Sequence, residues 1–186
     1  MPPIPNAQLT HAGLFVNDMD RMVAFYTGLL GMQVSDSGYL VGKHLTFLTR
    51  SIHEHHQLVL VAGRTALPGT RLLSQLSFRV DGLEELRHFH THAPQLGASD
   101  LQARSHGNSW SIYFRDPELN IVEMYCGTPW QVQQPWRGDL DFALTNEVIE
   151  QQTLELIKAD GVMEPIDVWQ QKMAARLAAV TNGDAS

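Results

Sequence analysis

L-T-H-A-G-L-F-V, Leu9 to Val16, and L-S-Q-L-S-F-R-V, Leu73 to Val80, stand 64 residues apart and read as copies of each other. Each run is followed by a residue that can cap a helix, Asn17 or Asp81, and then by an apolar-periodic segment. An internal repeat decides the fold, because a unit that cannot bury its own apolar face has to pack against its copy. Working outward from the first run, Asp18 and Asp20 fall in the first helical turn, where they complement the helix dipole. Met22, Val23, Tyr26, Leu29 and Leu30 follow at helical spacing and Gly31 can end the helix. Three strand-like runs come next: Met32 to Ser35, His44 to Thr49 and Gln57 to Ala62.

The second run repeats that order. Asp81 leads a helix with Leu83, Leu86 and Phe89 on one face, closed by Pro94 and Gly97. Strands are predicted at Ala98 to Ala103, Ser109 to Phe114 and Ile121 to Tyr125, the last two joined by the turn D-P-E-L-N with Pro117 preset for it. Each unit is β-α-β-β-β. The fold class is α+β: two such modules, residues 8–63 and 72–127, paired into one domain, 8–127. Residues 128–186 form an extension. In it Trp130, Pro135 and Trp136 suggest an extended segment lying on the modules. Thr145 can cap a helix carrying Val148, Ile149, Leu154 and Ile157, and a second helix starts near Pro165 with Val168, Met173, Ala174 and Leu177.

Charge excludes several functions. The 13 Lys and Arg against 20 Asp and Glu give a net charge of −7, without a basic run to hold nucleic acid or an anionic membrane. One cysteine, Cys126, precludes an internal disulfide and suits a reducing compartment. The start M-P-P-I-P-N-A-Q lacks the basic and apolar regions of a signal peptide, and no apolar run is long enough to span a membrane. A cytoplasmic location is expected.

Strand alternation singles out residues for chemistry. His11, Gly13 and Phe15 share one face of the first strand, opposite Ala12, Leu14 and Val16. Glu123 shares its face with Ile121 and Tyr125, and a carboxylate inside so apolar a strand is costly unless paired or metal-bound. The plain alternative places Glu123 toward solvent. His53, His55 and His56 crowd a polar turn, where simple solvation is the competing reading. His88 and His92 share a helix face, but no carboxylate accompanies them, which favours surface histidines. Cys126 reads as a small buried residue rather than a nucleophile.

From Ser105 to Tyr125 the chain reads S-H-G-N-S-W-S-I-Y-F-R-D-P-E-L-N-I-V-E-M-Y. With the paired modules, this resembles the vicinal oxygen chelate (glyoxalase, bleomycin resistance and extradiol dioxygenase) superfamily. Within it, His106, Ile112, Tyr113, Asp116, Pro117 and Glu123 are spaced as in the signature of type I extradiol ring-cleaving dioxygenases. Leu119 stands where Gly is usual there, and Arg104 where a small residue is usual.

The resemblance implies one divalent metal, Fe(II) foremost with Mn, Zn or Ni as alternatives, held by His11, Glu123 and Gln75. Gln75 occupies the place where the dioxygenases carry His. Val59, which stands at the offset position of Glu123, leaves module one without a carboxylate, so one site per chain is expected. By the same resemblance His56 is the acid–base residue, while Tyr113 and His106 contact the substrate. The implied reaction opens a catechol-type ring with dioxygen, in a protein expected to be a homodimer. A glyoxalase-like isomerase or lyase with a redox-inactive metal is the alternative, favoured by Gln75. A non-catalytic module that binds a small molecule is the third.

Overall fold

The computed structural model describes residues 7–67, 73–161 and 163–182. The first six residues of the Pro-rich start and the module boundary at residue 72 lie outside them. Module one runs β1 (Ala12–Val16), α1 (Met19–Leu30), β2 (Gln33–Leu40), β3 (Lys43–Thr49) and β4 (Leu58–Ala62). Module two runs β5 (Leu76–Arg79), α2 (Leu83–His92), a short 3-10 turn (Ala93–Leu96), β6 (Ser99–Ser105), β7 (Ser109–Arg115) and β8 (Ile121–Gly127). The sheet orders are β1-β4-β3-β2 and, for the second module, β6-β7-β8-β5. In each, the first strand lies parallel to the last. Gly13 pairs with Val59, and Ser77 pairs with Glu123, so both partners advance together by the repeat offset. The β-α-β-β-β unit read from the sequence is present twice.

Local chemistry moves some element ends. The cap of α1 is Asp18, whose Oδ1 accepts from Arg21 N at 3.0 Å, and not Asn17. Asn17 instead turns its backbone N–H and its amide to Glu118. Gly82 rather than Asp81 precedes α2, and no side chain caps that helix. β2 continues past Ser35 to Leu40 although D-S-G-Y-L has no apolar alternation, because it pairs with β3 along its length while all eight residues stay exposed. His11 and Gln75 each stand one residue before their strands.

One apolar core joins the modules. Val16, Phe25 and Leu60 belong to it from the first, and Leu86, Phe114 and Val122 from the second. Phe25 and Phe114 meet edge to face with ring centres 6.4 Å apart. The D-P-E-L-N turn is the polar joint between them. Glu118, 4% exposed, accepts from Asn17 N at 2.6 Å, Asp18 N at 2.8 Å and Arg64 Nη1 at 3.3 Å. Tyr26 Oη donates to Asp116 Oδ2 at 2.9 Å. Burial lifts the Asp116 carboxyl above its ordinary range, against the pull of its hydrogen bonds from Asn120, Tyr26 and Glu118.

The extension adds more than the two helices expected. β9 (Trp130–Val132) pairs with β11 (Met163–Pro165), and β10 (Gly138–Asp139) lengthens the second sheet beside β6. Thr145 caps α3 (Asn146–Ala159), as its sequence predicts. The buried face of α3 is Ile149, Thr153 and Ile157, whereas Val148, expected on it, is 39% exposed. Trp110 Nε1 donates to Thr153 Oγ1 at 2.9 Å, tying α3 to β7. In α4 (Ile166–Asn182) Val168 and Leu177 remain exposed, while Ile166, Trp169 and Met173 are half-buried. No described helix is long and apolar enough to cross a membrane.

Candidate functional site

Glu123 sits at the centre of β8, between Val122 and Met124, which point into the core. Ser77 on β5 and Tyr113 on β7 lie directly across from it, so three adjacent strands bring these side chains to one face. Gln75, two residues before Ser77, reaches the same face. Glu123 Oε2 accepts from Gln75 Nε2 at 2.7 Å and from Ser77 Oγ at 2.5 Å, and Oε1 accepts from Tyr113 Oη at 2.5 Å. Tyr113 Oη is 2.9 Å from His106 Nε2. His106 Nδ1 lies 3.1 Å from the carbonyl oxygen of Trp136. A carbonyl only accepts, so Nδ1 carries the proton in that bond. Burial first, then the Glu123 hydrogen bond and charge, raise the Tyr113 phenol above its ordinary value, so it keeps its proton. Tyr113 Oη therefore stands between two acceptors, Glu123 Oε1 and the bare His106 Nε2, and its single proton can turn to either.

His11 and His56 meet on the other module. Their ring centres are 4.4 Å apart, and the His56 ring also lies 5.1 Å from Phe47, with its Nδ1 3.0 Å from His55 Nδ1. Desolvation, followed by the neighbouring His11 and His55, lowers His56 below its ordinary value and favours the neutral ring. Val59, paired with Gly13, leaves the position equivalent to Glu123 in this sheet without a carboxylate. Among the described residues no hydrogen bond, ion pair or ring contact joins the His11–His56 pair to the Glu123 cluster. Nor does any group of three or more His, Cys, Asp or Glu side chains gather there as a metal ion would require.

The chemistry of Glu123 nevertheless fits a cation. It is 7% exposed, and among the described residues the groups that meet its charge directly are an amide and two hydroxyls, with no Lys or Arg bonded to it. Buried carboxylates are ordinarily paired or bound to metal. A divalent ion would supply the missing positive charge, and amide oxygen, carboxylate and imidazole are all suitable donors.

Other candidates resolve as structural. His88 and His92 stack at 4.1 Å and His92 Nδ1 bonds the His88 carbonyl, as surface histidines one helical turn apart do. Cys126 is 1% exposed, and burial pushes its thiol up to about 11, which leaves it protonated and inert. Two participants went unrecognised in the sequence. Ser77 was legible, being two residues from Gln75 on one strand face. Trp136 was not, because it acts through a backbone oxygen 30 residues from its partner. A cavity of about 840 Å³ opens beside β5, which is the edge strand of its sheet. It shares Ser77 with the Glu123 cluster but is otherwise walled by the end of α1, Arg50, Arg79 and α2.

The fold has relatives among known proteins. The profile of the Glyoxalase/Bleomycin resistance protein/Dioxygenase superfamily matches residues 8–124. Among solved structures, a glyoxylase/bleomycin resistance protein/dioxygenase domain from Frankia sp. EAN1pec superposes with a TM-score of 0.58 at 23% identity, covering 67% of this chain and all of that one. Fosfomycin resistance protein FosX from Mesorhizobium loti gives 0.52 at 19% identity over 67% of this chain and 94% of its own. FosX from Listeria monocytogenes, complexed with Mn(II) and sulfate, gives 0.54 at 19% identity over 67% and 95%. No curated protein matches the sequence. The duplicated sheet, the parallel pairing of first and last strands in each half, and the matched residues 8–124 make the chain a member of the glyoxalase/bleomycin resistance protein/dioxygenase superfamily, the vicinal oxygen chelate fold.

Proposed function

We propose that the chain is an extradiol-type dioxygenase that opens a small catechol-like ring with dioxygen. The observation that carries this reading is the line His106, Tyr113, Glu123, spaced as in the extradiol signature and hydrogen-bonded in sequence at 2.9 and 2.5 Å. A divalent metal, Fe(II) in this reading, would be held by Glu123 and Gln75 with His11 as third donor, and would supply Lewis-acid and redox chemistry toward a vicinal diol and dioxygen. The chain's own residues do the rest. Tyr113 retains its proton and donates it to a substrate oxygen, with His106 behind it to share the charge that develops. His56, held toward the neutral ring, accepts a hydroxyl proton from the incoming diol. The exposed strand face around His11 and Phe15 gives the aromatic ring an apolar and imidazole-rich surface.

A second reading rests on Gln75 beside Glu123: an isomerase or lyase using a redox-inactive divalent ion. Mn(II), held by the Listeria FosX structure, is then a candidate along with Zn and Ni.

Metal analysis of protein purified without oxygen, followed by a panel of catechols read at the visible absorbance of ring-opened products, tests both. Iron, coloured product and a drop of at least about 100-fold in Glu123→Gln and Tyr113→Phe support the dioxygenase. Zinc, nickel or manganese without coloured product moves the assignment to the isomerase or lyase. Tight catechol binding without metal or turnover leaves only a binding module.

A further inference from the structure

Residues beyond the family match reach into the Glu123 cluster. β9 ends at Val132, and the next four residues lead back over the turn between β6 and β7 to Trp136, whose carbonyl oxygen accepts from His106 Nδ1. Gln134 fastens this strap at two points. Its Nε2 donates to the His106 carbonyl at 2.8 Å and to Asn108 Oδ1 at 3.3 Å, and its Oε1 accepts from Trp136 N at 3.0 Å. The far side is anchored too, since Trp136 Nε1 donates to Asp160 Oδ2 at 2.8 Å at the end of α3.

The turn under the strap is shaped to receive it. Gly107 has φ +73, and a Cβ there would fall 2.6 Å from Val132 Cγ2, 3.1 Å from Ile157 Cγ2 and 3.2 Å from Trp136 Cε3. Thr128 Oγ1 holds the Gly107 carbonyl at 2.7 Å. His106 therefore stands on a turn clamped from β9, from α3 and from the strap at once.

We propose that the strap Gln133–Arg137 is a positioning device for His106. It places the proton on Nδ1 and turns Nε2 toward Tyr113, which makes the C-terminal extension part of the site. Gln134 is the positioning residue, acting through the Trp136 carbonyl. An imidazole free in water favours the opposite tautomer, with the proton on Nε2. The strap reverses that preference by setting against Nδ1 a carbonyl, which can only accept, while Nε2 faces the Tyr113 hydroxyl, which can donate to it, as outer-shell carbonyls do for histidines in metal centres. The tautomer claim depends only on the geometry; its catalytic consequence rests on the dioxygenase reading above.

The test uses the full-length chain with 15N-labelled histidine, metal-free and with Zn(II) added, observed by NMR of the ring nitrogens. Wild type should show a His106 Nδ1–H protected from exchange. In Gln134→Ala, and in Gln134→Glu, which cannot donate to the His106 carbonyl, that proton should exchange and the ring shift toward Nε2–H. Melting temperature should stay within a few degrees, because Gln134 is exposed. In the Fe(II)-loaded protein with catechol as probe, kcat should fall about 10- to 100-fold with KM nearly unchanged. A bare Nδ1 in wild type, or an undisturbed Nδ1–H in both variants, overturns the proposal. Unfolding of both variants overturns it as well, since the residue would then be structural. Absence of catechol turnover in wild type counts against the dioxygenase alone and leaves the NMR result decisive for the strap.

Discussion

Gly107 and Leu119 show how single backbone positions govern the site. Leu119 has φ +67 in the turn where the extradiol signature usually has Gly, so the departure noted in the sequence falls on a position whose conformation favours glycine. Gly107 keeps its glycine and needs it for two reasons, its φ and the side chains pressed over it. Gly107→Ala is expected to destabilise the protein by about 3 kcal/mol, the sum of left-handed strain and overpacking. Urea denaturation checks this, and a loss below about 0.5 kcal/mol would show that the strap gives way easily. Glu123 is legible as a single residue because a carboxylate inside an apolar strand stands out from its neighbours, and Tyr113 only through its spacing in the extradiol signature. Ser77 carries a weaker signal, its spacing of two from Gln75 on one strand face.

At the level of elements, strand and helix periodicity located every repeat element, while their ends depended on capping partners. Asn17 looked like a cap and was drawn off by Glu118, 101 residues away. The face of α3 was misjudged because Val148 is apolar yet exposed, whereas the polar Thr153 is buried against Trp110. Thr153→Val should cost about 1–3 kcal/mol, because it leaves the indole N–H buried without its acceptor. Replacing Trp110 by Phe in the same chain should recover part of that loss. Denaturation of the two single variants and the double variant measures the coupling, and strict additivity would mean that the bond contributes nothing.

Across the whole molecule, the modules are held together by an apolar core and by two buried carboxylates of one turn, Asp116 and Glu118. Glu118 accepts from the first residues before α1 and from Arg64, so a turn of module two closes the start of module one. Glu118→Ala removes that acceptor from four donors at once, two of them on Asn17, and should cost about 3–5 kcal/mol. Hydrogen exchange should show the amides of Asn17 and Asp18 opening first. If their protection is unchanged, Glu118 contributes nothing to the joint, and the core with the Tyr26–Asp116 bond holds the modules.

The chain's own order of residues determined the duplication, the β-α-β-β-β unit, the faces of its strands and the isolated carboxylate on the eighth strand. Those are local properties: a period of two or 3.6, a cap, a turn residue, repeated at a fixed offset. Folding in three dimensions alone decided which groups meet. That Gln75 presents its amide to Glu123, that His11 pairs with His56, and that Trp136 lends a carbonyl to His106 depend on how two sheets, a turn and a distant extension close on one another. No periodicity encodes such contacts, because a backbone oxygen has the same chemistry in every residue and acquires a role only by position.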